Sequence, residues 1–186
     1  NRYYEALFTR WRKRWEGPVL DRARAAAGPD TAPWEAGIDF KVTRLESGLL
    51  SLFWDVREET GQRRPLRFRR GDTWRLPEGV PVTLRELLPP GRRWKRAVLD
   101  EVRRQIGEQL DRGESLYWTE WSRLAALRFS PDRFFLTEGG PAVFYPVESI
   151  APALEGFPTF PLTRLMSASR ASGPDDTRPE ETSPAE

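Results

Sequence analysis

Carboxylates are the side chains in this sequence with the best claim to chemistry. Cysteine and histidine are both absent from its 186 residues. A thiol nucleophile, an imidazole base, a Cys/His zinc site and a Ser-His-Asp triad are therefore all excluded. A carboxylate-held Mg²⁺ or Ca²⁺ is not. Asp55, Glu58 and Glu59 stand where a strand-like run ends, and Asp132, Glu138 and Glu148 flank a later hairpin pattern. Two such acids facing each other across a cleft would perform glycosidase chemistry. The competing reading is solvated turn acids, because 28 acidic residues are spread along the chain and spacing marks out no pair. There is no P-loop, dinucleotide fingerprint or helix-turn-helix signature. The expectation is a non-catalytic domain without a cofactor, with a carboxylate-dependent glycan hydrolase as the alternative.

The other chemistry-bearing groups are cationic and aromatic. Arg63, Arg64, Arg67, Arg69, Arg70 and Arg75 form one basic patch, and Arg92, Arg93, Lys95 and Arg96 another, with Phe68, Trp74 and Trp94 interleaved. Such a mixture suits nucleic acid or an anionic wall polymer. It also suits a charged solvent face behind a buried one, since Leu66 and Phe68 alternate with Arg67 and Arg69. The chain has 30 basic and 28 acidic residues, and residues 1–166 hold 28 and 23 of them. That mild excess makes a weak nucleic-acid-binding protein a lesser alternative. Trp118 and Trp121 lie off the clear periodic faces. With Tyr145, Phe157, Arg63 and Arg64 they form the candidate binding surface, because exposed aromatics and arginines anchor partners.

Periodicity supplies the elements that would position these groups. Tyr4, Leu7, Phe8, Trp11 and Trp15 predict an N-terminal helix stopped by Gly17-Pro18, with a short helix over 19–27 after it. Ile38, Phe40 and Val42, a Ser47-Gly48 turn, then Leu50, Leu52, Trp54 and Val56 predict two antiparallel strands. Leu66 and Phe68 begin a third. Thr83 and Glu86 make a capping box. Residues 92–112 predict one long helix with an apolar stripe at Trp94 or Lys95, Val98, Leu99, Val102, Ile106 and Leu110 and with Glu101 on its polar side. The run over 115–127 is open between helix and strand. A hairpin follows across residues 134–145. The fold class is α+β, an antiparallel sheet against one long helix with shorter N-terminal helices. It is read as a single domain over 1–166, and residues 167–186 as a disordered acidic tail. The loop-rich, proline-rich closing block has one last strand near Phe160 and Leu162 and otherwise no ladder role. It forms a structural clasp of Phe144, Ile150, Phe160 and Pro161, folded over the long helix.

Two stretches carry a resemblance. The segment FKVTRLESGLLSLFWDVREETG, residues 40–61, resembles the paired strands that open the RsiV-like C-terminal domain of unknown function in bacterial envelope proteins. The segment RFFLTEGGPAVFYPVESIAPALEGFPTFPLTRL, residues 133–165, resembles that family's closing signature. Phe135, Leu136, Thr137, Gly140, Val143, Phe144 and Tyr145 fit it, as do Glu148, Ile150, Ala151, Pro152, Gly156, Phe160, Pro161 and Leu165. Leu154 stands where the family has a second tyrosine. Where the family often has a GGAHG turn, this chain reads ETGQRR, with Gly61 retained. The likeness spans residues 38–165. It implies an extracytoplasmic, envelope-facing bacterial binding or sensing module whose partner is an envelope protein or peptidoglycan. The family includes the lysozyme-binding receptor domain of an anti-sigma factor and modules attached to a peptidoglycan deacetylase. No run of 18 apolar residues is present, so no transmembrane segment is expected in this chain. A signal peptide or anchor preceding Asn1 is left open.

Overall fold

The computed structural model describes residues 2–28, 32–61 and 64–171. Helix makes up 39% and antiparallel sheet 29% of the described residues, so the fold is α+β. The chain divides into two compact units. One comprises residues 1–40 with 54–69, the other residues 41–53 with those from 70 onward.

The first unit begins with α1 (Arg2–Arg14). Gly17-Pro18 interrupts the helix as expected: Gly17 takes non-helical φ −106° and ψ −106°, and a second short helix, α2 (Leu20–Ala26), follows the kink. Proline lacks only its own N–H and fixes its own φ, so a kink accommodates it. The apolar side of α1 meets the unit's share of the sheet. Phe8 packs edge-on against Trp54 at 6.4 Å, and Trp54 against Phe68 at 5.6 Å. Trp54 and Val56 are buried.

Four strands lie in the order β1-β2-β3-β4: β1 (Glu35–Glu46), β2 (Leu49–Glu59), β3 (Leu66–Arg75) and β4 (Val80–Pro81). Alternation gives β2 two faces. Leu52, Trp54 and Val56 lie on one, and Ser51 and Phe53 on the other. In the second unit, buried Ser51 shares a hydrogen bond of 2.9 Å with Thr73 and accepts one of 2.8 Å from the Leu136 N–H. A hydroxyl buried on a sheet face needs such partners.

The second unit holds α3 (Leu84–Leu87), α4 (Trp94–Asp111), α5 (Trp121–Arg128) and α6 (Thr163–Ala171). The Thr83 capping box is present: Thr83 Oγ1 accepts from the Glu86 N–H, and the Glu86 carboxylate accepts from the Thr83 N–H at 3.1 Å. The expected hairpin and the last strand near Phe160 join in a second sheet of order β5-β6-β7, a pairing the sequence did not show: β5 (Phe134–Thr137), β6 (Gly140–Phe144) and β7 (Thr159–Pro161). The proline-rich block therefore contributes a ladder. Phe160 pairs with Val143 and Pro161 with Ala142. Proline is tolerated there because β7 is an edge strand.

The core of this unit joins Val98, Val102 and Ile106 of α4 to Phe134, Val143, Tyr145, Ile150, Phe160 and Leu162. Phe144 lies on the opposite side of β6, with Phe135, Ala142 and half-buried Phe53. Glu101 is not on a solvated side. It is buried at 6% exposure and bound by Arg104 at 2.6 and 2.9 Å and by Gln105 at 2.9 Å. The first residues of the expected tail are helical, because α6 runs to Ala171 and seats Leu165 and Met166 on the core. The rest of that tail, residues 172–186, lies outside the described residues.

Candidate functional site

The six acids fall three to each unit. In the first unit, Asp55 takes two hydrogen bonds from Arg69, at 2.7 and 2.8 Å, and Glu59 pairs with Arg57. Glu58 is 4% exposed and accepts from Arg14 and, at 2.8 Å, from the Trp11 indole. Burial pushes its pKa up, but the Arg14 and indole hydrogen bonds outweigh burial and hold it below the ordinary carboxylate range. All three are thus neutralised at short range, which suits structure better than proton transfer. In the second unit, Asp132, Glu138 and Glu148 are exposed on turns. Among the described residues, no three acids converge as a metal site.

The basic patch is offset in the same way. Arg69, Arg70 and Arg75 pair with Asp55, Asp72 and Glu86. Arg96 pairs with Asp100, and Lys95 sits over the Trp94 ring. Arg63 lies outside the described residues, and Arg64 is exposed in the first unit. A groove of about 510 Å³ between α4 and α6 is lined by Glu101, Arg104, Glu108, Arg112 and Arg164 among others. Both of its acids are paired, since Arg104 binds Glu101 and Glu108, and Arg112 pairs with Glu114 beside it.

What remains is an apolar surface on the second unit. Helix α4 ends at Asp111, and Gly113, with φ +63°, turns the chain out of it. Burial then alternates along residues 115–118. Tyr117 points inward, packs on the core and donates to Gln109 Oε1 at 2.5 Å. Leu116 and Trp118 point outward, 59% and 40% exposed. The closing block fixes this strip. The Leu116 N–H donates to Glu155 Oε1 at 2.7 Å, and the Trp118 N–H to the Ile150 carbonyl at 3.1 Å. The Trp118 indole N–H reaches the Glu148 carbonyl at 3.4 Å. Leu154, beside Glu155, is 87% exposed. Glu148 holds a left-handed backbone at φ +60°, which is strained for a residue with a Cβ.

The structure separates the residues grouped by sequence. Trp118 is on this surface. Trp121 is half-buried against the core through the first turn of α5. Tyr145 is corrected from surface to core. It is 1% exposed, its hydroxyl donates to the Ala125 carbonyl at 3.0 Å, and burial pushes its pKa well up. Phe157 is half-buried. Leu116 and Leu154 were missed. Leu116 carried a signal, the alternation through Leu116, Tyr117 and Trp118. Leu154 sat in a block read as structural.

No family model matches the sequence, and a search of curated proteins finds no match. Solved structures do. A DUF3298 family protein from Pseudomonas aeruginosa PAO1 aligns with a TM-score of 0.58 and 18% identity, over 81% of this chain and 66% of that one. A DUF3298 family member from Bacteroides fragilis aligns with a TM-score of 0.55 and 18% identity, over 90% of this chain and 66% of that one. The chain spans just under two thirds of the length of each. It therefore shares its α+β fold with bacterial proteins of the DUF3298 family, a domain of unknown function.

Proposed function

We propose that this chain is an RsiV-like, non-catalytic binding module facing the bacterial envelope, and that it engages a protein partner through Leu116, Trp118 and Leu154. The observation that carries the reading is the exposure of these three large apolar side chains on backbone that the core holds in place. Burying a leucine side chain fully is worth about 1.5–3 kcal/mol, so leaving two of them in solvent is a standing cost that a partner removes. The hydrogen bonds to Glu155, Ile150 and Glu148 preorganise the strip, so little ordering entropy opposes docking. Two exposed leucines beside the indole favour a protein surface over a glycan, which would ask for more hydrogen-bonding groups around the ring. The paired carboxylates and arginines give correspondingly little support to a hydrolase or a nucleic-acid binder.

Photo-cross-linking in a native bacterial host tests this. A benzoylphenylalanine at position 154 should yield a discrete protein adduct in the envelope fraction. The same group at position 127 should not, although Leu127 is 63% exposed on α5. Trp118→Ala should remove the adduct while the protein stays folded. Equal labelling from both positions, or adducts confined to the cytoplasmic fraction, would overturn the proposal.

A further inference from the structure

Strand β1 is the outer strand of its sheet and runs for 12 residues. Natural edge strands of this length are usually bulged, covered or interrupted, because their outward N–H and C=O groups template pairing. This one leaves Phe40 70% and Val42 47% exposed. Its centre reads Ile38-Asp39-Phe40-Lys41-Val42. Alternation puts the three apolar residues on one face and the two opposite charges on the other. Reversed end to end, the segment is its own complement.

We propose that β1 pairs antiparallel with β1 of a second copy of this chain, about a two-fold axis at Phe40. In that register Asp39 of each copy faces Lys41 of the other, Ile38 faces Val42, and the two Phe40 rings meet at the axis. The neighbouring registers fail on charge: an axis at Lys41 opposes lysine to lysine, and one at Asp39 opposes aspartate to aspartate. The interface is isologous, so every contact occurs twice.

Sedimentation velocity of the full chain over a range of concentrations at low salt tests the proposal. The parent should show a monomer–dimer equilibrium. Asp39→Lys, and independently Lys41→Asp, places like charges opposite each other twice and should weaken the dimer roughly tenfold or more. Combining Asp39→Lys with Lys41→Asp restores two opposite-charge pairs and should recover the dimer. Both side chains are exposed, so all variants should melt with the parent. Trp118→Ala, on the other surface, should leave dimerisation unchanged. A parent that stays monomeric at the highest attainable concentration overturns the proposal. So does a dimer indifferent to the single exchanges, or one that the double exchange does not rescue.

Discussion

Replacing Phe160 by alanine tests whether the closing block holds the second unit together. Phe160 is 0% exposed and sits edge-on to Tyr145 at 5.8 Å, in one cluster with Val98, Val102 and Ile106 of α4. Its backbone pairs with Val143, and the substitution leaves that ladder in place, so the loss falls on side-chain packing. Truncating a buried phenylalanine costs about 3–5 kcal/mol, against a reserve of about 5–15 kcal/mol for a typical domain. For a chain of this size each kcal/mol moves the melting temperature by about 2–4 °C, so a fall of roughly 6–20 °C is expected. Thermal melts followed by circular dichroism and tryptophan emission would measure it. Arg67→Ala, an exposed control, should stay within about 0.5 kcal/mol of the parent. If Phe160→Ala melts with the parent, or loses a partner without losing stability, the clasp argument fails.

Gly71→Ala should destabilise strongly: an added Cβ would lie 1.8 Å from the Phe134 carbonyl oxygen. Backbone must move to admit it, at about 1–3 kcal/mol or more, and a parent-like guanidinium midpoint would contradict that. Burial first, and then the nearby Glu155 charge, push the Tyr117 pKa up from 10.0 to about 12. The unfolded chain therefore loses this proton before the folded one. Stability from Tyr117 is full below pH 10 and is lost as pH rises toward 12, and Tyr117→Phe should flatten that fall in melting temperature. For Glu101, the Arg104 hydrogen bonds outweigh burial and hold the carboxyl below its ordinary 4.5. Its contribution is present above about pH 4.5 and lost as pH falls below it. Glu101→Gln should lower the melting temperature at pH 7 and make its acid dependence shallower.

The elements with strong local signals were legible in the sequence. The α4 stripe, the Thr83 box, the Ser47-Gly48 turn and the hairpin over 134–144 each rest on interactions between residues close in the chain. The pairing of the second sheet was not, because β7 is three residues long and its partners lie 15 to 19 residues earlier. Glu101 looked like any polar helix residue. Its burial depends on Arg104 one turn away and on α6, beyond residue 160. The same limit applies to the surface. Trp118 stood out by residue type, whereas Leu154 is exposed only because the block around it turns Ile150 and Ala151 inward. Tyr145 looked equally suited to a surface, and its buried acceptor, the Ala125 carbonyl, lies twenty residues away.

The division of β2 between the two units has a consequence for synthesis. Residues 1–40 and 54–69 are all made before α4 has been translated, so the first unit can close early on the ribosome. Residues 41–53 are made in the same interval but belong to the later unit. Ser51 finds Thr73 after 22 residues and the Leu136 N–H only after 85. During that wait the Ser51 hydroxyl lacks its final partner, although the strand that carries it has already been made.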